Sequence, residues 1–261
     1  MADLHQLAAL AIDLAAQAAA VHRRGLGAVH EVGTKSSNTD MVTEIDRESE
    51  RLIVGALRRL RPDDAILGEE ETRQVGTSGV RWVIDPLDGT TNYIYGYPAF
   101  AVSIGVEVDG RPAVGVVHDS TRSDVFVGAR GEGATLNGRP IHVRHHADLA
   151  TALVATGFLA SPEQRARLGA IAAQVLPRVR DIRRGGSAAL DLCSVAAGRV
   201  DAYYEVGLGE WDVSAGAVIA AAAGADVRLV PLPSGPSPLT IAASPALAEP
   251  LLALLREAGA L

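Results

Sequence analysis

Apolar residues return at helical spacing over residues 4–24, where Leu7, Leu10, Leu14 and Val21 share a side and Gly25 closes the run. A second amphipathic helix is predicted over 43–60, with Ile45, Leu52, Ile53, Ala56 and Leu57 on one side and Pro62 just beyond its end. The intervening 33–39 (GTKSSNT) reads as a polar loop. The period then shortens. Residues 65–67 and 80–85 are predicted as short strands, and 99–108 and 113–118 alternate as strands joined by the turn Asp109-Gly110-Arg111-Pro112. Residues 125–127 continue this meander, and Asn137-Gly138 marks another tight turn.

Beyond residue 150 the pattern becomes strand–helix alternation. Strands are predicted at 152–156, 179–183, 200–205, 227–230 and 239–243, and helices at 162–176, 187–197, 212–223 and 245–258. The Pro-rich 231–238 (PLPSGPSP) is a loop, not a linker, and the chain has no internal repeat. A meander followed by alternation predicts an α+β protein, a layered αβαβα sandwich with two sheets between helices. The expected division lies near residue 150, with 1–150 an α+β half and 151–261 an α/β half of one compact unit.

The 261 residues are 48% apolar and 21% charged, which suits a large core and argues against global disorder. The net charge of −7 argues against a nucleic-acid surface, which needs a basic patch. It leaves an anionic substrate open, because a bound cation can reverse the local sign. The single Cys193 rules out an intrachain disulfide and fits a reducing compartment. The N-terminus lacks the basic start and cleavage site of a signal peptide. The Ala-rich 7–21, broken by Asp13 and Gln17, reads as too short and too polar for a membrane span. A cytoplasmic protein with no membrane or nucleic-acid partner is expected.

The candidate chemistry lies in 82–93 (WVIDPLDGTTNY). Positions i and i+3 of a regular strand point to opposite faces. Pro86 is expected to end the ladder, so that Asp85 and Asp88 converge and the Leu87 carbonyl is left without a partner. Carboxylates with a spare carbonyl make a hard oxygen site suited to Mg2+ or Mn2+, which would relieve their repulsion. The following Gly89-Thr90-Thr91-Asn92 looks like a helix start whose free amides attract an anion such as phosphate. Two further acidic elements stand apart in sequence. Gly68-Glu69-Glu70-Glu71 follows a strand and reads either as a charged loop or as ligands. Asp212, after Glu210-Trp211, reads either as a helix cap or as a ligand.

Six motifs resemble, in order, those of the inositol monophosphatase family of metal-dependent, lithium-sensitive sugar phosphatases. They are Lys35-Ser-Ser-Asn-Thr-Asp-Met-Val-Thr-Glu-Ile-Asp46, Gly68-Glu-Glu70, Asp85-Pro-Leu-Asp-Gly-Thr-Thr-Asn92, Gly186-Ser-Ala188, Asp201-Ala-Tyr-Tyr-Glu205 and Trp211-Asp-Val-Ser-Ala-Gly216. The resemblance implies two or three Mg2+ ions, with Mn2+ a possible substitute. Glu69, Asp85 and the Leu87 carbonyl would hold one ion; Asp85, Asp88 and Asp212 would hold the next. A third, weaker ion would lie near Glu69. Thr90, bonded to Asp46, would help Glu69 orient the attacking water. The Gly89 and Thr90 amides, near Asp88 and Asp212, would hold the phosphate. Gly186, Ser187, Ala188 and Glu205 would touch the alcohol, and Lys35 would sit on a mobile loop. Most metal ligands then fall in 1–150, and 151–261 completes the site. A homodimer is expected, with the apolar 150–158 contributing to its interface.

The leading expectation is hydrolysis of myo-inositol 1-phosphate or a related sugar phosphate. Histidinol phosphate is an alternative substrate, its ammonium pairing with Glu205 or Glu210. Fructose 1,6-bisphosphate or a nucleotide would need basic residues such as Arg183 and Arg184. A role as a regulatory partner of the transcription machinery is a different class of reading. The Asp-x-Asp-Gly-Thr of haloacid-dehalogenase phosphatases has one residue fewer between its acids, which disfavours that chemistry here. Because metal-activated water needs no nucleophilic side chain, His22, His30, His142, His145 and His146 are read as surface residues and Cys193 as core. Two departures from the family stand out: Ala225-Asp-Val-Arg228 with the Pro-rich loop after it, and the extra acid Glu210.

Overall fold

The computed structural model describes residues 2–27, 32–34, 41–70, 72–233 and 237–261. Helix α1 (Leu4–Gly25) starts where the Asp3 carboxylate accepts the amides of His5 and Gln6, and it carries His22, Arg23 and Arg24 in its last turn. Strands β1 (Val32–Thr34) and β2 (Met41–Thr43) pair antiparallel, so that Gly33 and Thr34, at the start of the stretch read as a loop, belong to a strand. Helix α2 (Glu44–Leu60) follows at once. Thr43 accepts the Ile45 amide and Asp46 reaches back to the Thr43 amide, a reciprocal cap that fixes where this helix begins.

The first sheet has eight strands. They are β3 (Ala65–Gly68), β4 (Arg73–Gln74), β5 (Val80–Asp88), β6 (Ala101–Val108), β7 (Arg111–Asp119), β8 (Val125–Ala129), β9 (Gly133–Leu136) and β10 (Arg139–Ile141), in the order β10-β9-β8-β7-β6-β5-β3-β4. All neighbours run antiparallel except β3 and β5. The short helix α3 (Thr90–Tyr95) leaves the end of β5. The second sheet has five strands, β11 (Leu153–Thr156), β12 (Asp181–Arg183), β13 (Ala202–Val206), β14 (Asp226–Val230) and β15 (Leu239–Ala243), in the order β12-β11-β13-β15-β14. Helices α4 (Pro162–Val175), α5 (Ala188–Ala196), α6 (Glu210–Ala222) and α7 (Pro245–Glu257) are interleaved with these strands.

Three apolar clusters stack the layers. Leu7, Leu14, Ile53 and Leu57 of α1 and α2 pack with Trp82, Ile84, Val102 and Val116 on one face of the large sheet. Leu192, Cys193, Ala215 and Ile219 of α5 and α6 fill the space between the sheets, against Val117, Phe126, Tyr203 and Ala242. Leu168, Ile171, Leu247 and Leu251 of α4 and α7 cover the far face of the small sheet. The result is the expected αβαβα sandwich. Helix α1 extends beyond the Ala-rich 7–21 and, by length and composition alone, is long and apolar enough to cross a membrane, a test that the core helix of a soluble protein also passes. Its apolarity has a local explanation in the face it buries on the sheet. Within 150–158, expected at a dimer interface, residues 153–156 form β11 between β12 and β13, with Val154 and Ala155 wholly buried in the chain's own core.

Glycine decides how close α6 comes. Gly105, Gly115 and Gly128 lie side by side across β6, β7 and β8. A Cβ at these positions would collide with Ser214, Ala215 and Ile219 respectively. The trench they leave seats α6 directly on the sheet and brings its first turn, with Asp212, to the end of β5.

Candidate active site

Strand β5 does not end at Pro86. It continues to Asp88, with Asp85 opposite Ser103 and Asp88 opposite Ala101, so three steps on β5 face two on β6. This is a β-bulge, and it corrects the expectation of a terminated ladder. The extra residue turns what would be opposite faces into one, so that both carboxylates converge. A bulge is also a position where proline's missing N–H is tolerated. The Leu87 amide donates to Asp85 Oδ1 at 3.0 Å. The Leu87 carbonyl is not left over, as the sequence had suggested: Thr90 Oγ1 lies 3.1 Å from it and 2.9 Å from Asp46 Oδ1. One hydroxyl proton serves both acceptors, so it can leave the carbonyl without losing its partner on Asp46.

His22 holds the bulge from behind, although it had been assigned to the surface. It is fully buried, with Nε2 2.9 Å from the Pro86 carbonyl and Nδ1 2.8 Å from Ser120 Oγ. A carbonyl only accepts, so Nε2 carries the proton and Nδ1 accepts from Ser120. Burial pushes its pKa down to about 3, which keeps the ring neutral. Tyr93 packs beside it and donates to the His22 carbonyl at 3.0 Å. His142 and His145 are exposed and His146 is half-buried; Cys193 is buried in the central layer.

Asp85, Asp88 and Asp212 present carboxylate oxygens that all lie within 4.8 Å of one another. Asp212 sits in the first turn of α6, where one oxygen accepts the Gly209 amide at 2.6 Å. It therefore caps its helix and faces the cluster at once. Asp88 accepts from Ser187 Oγ and from the Ala189 amide at 2.8 Å. Burial, then the charges of Glu69, Asp88 and Asp212, push the Asp85 carboxyl well above the usual range; a hydrogen bond shared with Glu69 adds to this. Burial, then Asp88 and Glu69, do the same to Asp212. Asp88 is raised to about 6 by burial, against the pull of Ser187 and Ala189. Asp46 is also raised, chiefly by burial. Carboxyls buried this close are electrostatically incomplete: they need either protons or a cation. An all-oxygen set of this kind fits Mg2+ or Mn2+.

Gly89 stands at the junction of β5 and α3 with φ +92°, and a Cβ there would press on the Ala99 and Gly186 carbonyls. The amides that follow have no carbonyl one turn back to bond. Asn92 donates to the Ala99 carbonyl at 2.7 Å and the Gly185 carbonyl at 2.9 Å, which joins this segment to 185–187. Gly186 has φ +87° and leaves space taken by Arg184 and Asn92. Ser187 is engaged with Asp88 and also caps α5.

Glu205, at the end of β13, is buried and accepts the Tyr203 hydroxyl at 2.7 Å. Burial raises it to about 7, against the effect of Tyr203. Asp191 on α5 is a neighbouring acid that sequence reasoning passed over, raised by burial and then by Glu205 and Asp88. Arg184 lies close enough to draw both acids back down, while Arg183 is exposed and paired with Asp181. Glu210 pairs with Arg81 at 2.6 Å and is mostly exposed. Lys35, His30 and Glu71 lie outside the described residues.

A layered αβαβα sandwich in which three carboxylates, two buried and one half-buried, meet at a strand bulge defines a class of protein with a candidate cation site. The chain belongs to the inositol monophosphatase family, whose model matches residues 3–259. It is 45% identical to the inositol-1-monophosphatase SuhB of Mycobacterium tuberculosis, over 96% of this chain and 93% of that protein. It is 46% identical to the Nus factor SuhB of Pasteurella multocida, over 73% and 72% of the two chains. Among solved structures, the extragenic suppressor protein suhB of Bartonella henselae superposes with a TM-score of 0.89 at 32% identity, covering 97% of this chain and 99% of that one.

Proposed function

We propose that this chain is a Mg2+-dependent phosphomonoesterase that hydrolyses myo-inositol 1-phosphate, or a closely related sugar phosphate, to the free alcohol and phosphate. The observation that carries the reading is the convergence of Asp85, Asp88 and Asp212, whose carboxylate oxygens lie within 4.8 Å of one another. Glu69 and the Leu87 carbonyl would join them in holding the ions. Two or three Mg2+ ions, when bound, would supply acidified water on one side of the phosphorus and charge neutralisation on the leaving alkoxide.

The protein's own groups do the rest. Thr90, whose hydroxyl proton is directed at Asp46, would accept a hydrogen bond from the attacking water, and the Glu69 carboxylate would take up the water's proton. The Gly89 and Thr90 amides hold the phosphate oxygens through individual N–H groups, since α3 is only six residues long. Ser187 and the amides at the start of α5 fix the Asp88 rotamer, so the 186–188 segment serves the carboxylates as well as the rim of the alcohol pocket. Glu205 selects the alcohol through its hydroxyl groups. The homodimer remains part of this reading on family grounds, as does a cytoplasmic setting. The test is a panel of esters with Mg2+: inositol 1-phosphate, histidinol phosphate, fructose 1,6-bisphosphate and para-nitrophenyl phosphate. The proposal expects inositol 1-phosphate to have the highest kcat/KM. A preference for histidinol phosphate would make Glu205 an ammonium partner and overturn the substrate assignment.

The relatives named Nus factor favour a second reading, in which the chain also serves a transcription complex as a protein partner. Retention of RNA polymerase components on the immobilised chain, with no Mg2+-dependent hydrolysis of any ester, would favour it over the first.

A further inference from the structure

Helix α2 turns two acids inward from one face. Asp46 sits in its first turn, and Glu50 one turn further on; both are buried. Asp46 reaches Thr90. Glu50 reaches the loop on the other side of the site. Its Oε2 accepts the Glu70 amide at 2.9 Å, and its Oε1 accepts the Thr72 amide at 3.1 Å and the Thr72 hydroxyl at 2.7 Å. The loop closes on itself through the Gly68 amide and the Thr72 carbonyl at 2.8 Å, and the Glu69 amide bonds the Ile84 carbonyl of β5 at 3.0 Å. A Cβ at Gly68 would lie 2.5 Å from Glu50 Oε2, so the backbone must be bare where the carboxyl presses on it.

We propose that Glu50 is a positioning residue for the metal site: it grips the 68–72 loop and so sets where the Glu69 carboxylate meets Asp85. Burying a carboxyl is unfavourable unless both oxygens find donors. Here the donors on both oxygens come from the loop that carries Glu69. Because Asp46 and Glu50 are one turn apart on a rigid helix, the same face of α2 fixes Thr90 and Glu69 relative to each other. This is the pair the proposed function asks to orient water, and the inference rests on that reading of Glu69 as a ligand.

The test is Glu50→Gln in the full chain, stripped of metal and titrated with Mn2+ by electron paramagnetic resonance. An amide has one acceptor oxygen, so whichever way it turns, its NH2 meets a backbone N–H that it cannot satisfy. Partners that orient a ligand cost about 10- to 100-fold in metal affinity when lost. A weakening of Mn2+ binding by about 10-fold or more is expected. The Mg2+ concentration for half-maximal rate should rise in parallel, with KM at saturating Mg2+ little changed. A lower thermal midpoint with unchanged Mn2+ affinity would show a merely structural role and overturn the proposal. If Glu50→Gln does not fold by circular dichroism, Thr72→Val replaces it, removing one donor and keeping the shape. A smaller loss of Mn2+ affinity is then expected, and none would overturn the proposal. Glu69→Gln separates the two claims. If it leaves Mn2+ affinity intact, Glu69 is no ligand and the underlying reading fails. If it weakens Mn2+ binding and Glu50→Gln does not, only the positioning role fails.

Discussion

Replacing Asp88 by asparagine should make the metal-free protein more stable while destroying its capacity to respond to metal. The folded state raises the Asp88 carboxyl from 3.8 to about 6. An acid whose pKa is raised on folding contributes its full stability below its unfolded value and loses it as the pH climbs through the folded one. Each pH unit between the two values is worth about 1.4 kcal/mol, so ionised Asp88 costs the folded chain about 3 kcal/mol at pH 8. Asparagine escapes that cost. Its carbonyl oxygen can take over the bonds from Ser187 and the Ala189 amide, and its NH2 can donate to the remaining carboxylates. At about 2–4 °C per kcal/mol for a chain of this size, Asp88→Asn should melt about 6–12 °C higher than the unmodified protein at pH 8 in chelator. At pH 4 the difference should vanish. With Mg2+ at about 100 times its Kd, the unmodified protein should gain about 2.7 kcal/mol and the variant far less. Calorimetry at both pH values, with and without Mg2+, checks every part. A variant less stable than the parent at pH 8 in chelator, or a difference of equal size at pH 4, would refute the electrostatic reasoning.

Glu205→Gln removes a charge from the alcohol pocket. At about 1.5–3 kcal/mol for a charge-assisted hydrogen bond, kcat/KM for inositol 1-phosphate should fall about 10- to 150-fold. Steady-state rates on para-nitrophenyl phosphate should change much less; equal losses on both substrates would mean that Glu205 supports the metal site instead. His22→Leu orphans the Pro86 carbonyl and the Ser120 hydroxyl, each at about 1–3 kcal/mol, so urea titration should show a loss of about 2–6 kcal/mol. A loss below about 1 kcal/mol would count against His22 as the support of the bulge. Lithium should inhibit in the high micromolar to millimolar range, and unchanged rates at tens of millimolar LiCl would contradict that expectation. Light scattering at micromolar concentration should report a dimer; a particle of monomer mass would refute it.

The layers were legible because their periods are plain: α1 and α2 repeat at helical spacing, and β6 and β7 alternate around an obvious turn. The motif 85–92 was legible as chemistry because two acids and a proline at a strand end demand an explanation. Its geometry was not. Whether a proline ends a strand or sits in a bulge depends on the neighbouring strand, and nothing in 82–93 specifies Ser103 and Ala101 as partners. His22 was misplaced because its sequence neighbours Arg23 and Arg24 are polar, yet at a helix's last turn the inward face differs from the outward one by a single residue. Glu50 left a signal that went unread: it falls on the stripe Asp46, Ser49, Glu50, Ile53 and Leu57, where an acid on a buried face calls for a partner. The glycines at 105, 115 and 128 carried no signal until the register paired them.

The central claim is that the cluster of Asp85, Asp88 and Asp212 holds the cation that drives phosphate-ester hydrolysis. The most direct test is phosphate release from inositol 1-phosphate by the purified chain, first in excess chelator and then with Mg2+ restored. The account predicts no turnover in chelator, full recovery with Mg2+, and no recovery in Asp88→Asn. Turnover that persists in chelator, or that Asp88→Asn sustains at the parental rate, would contradict it.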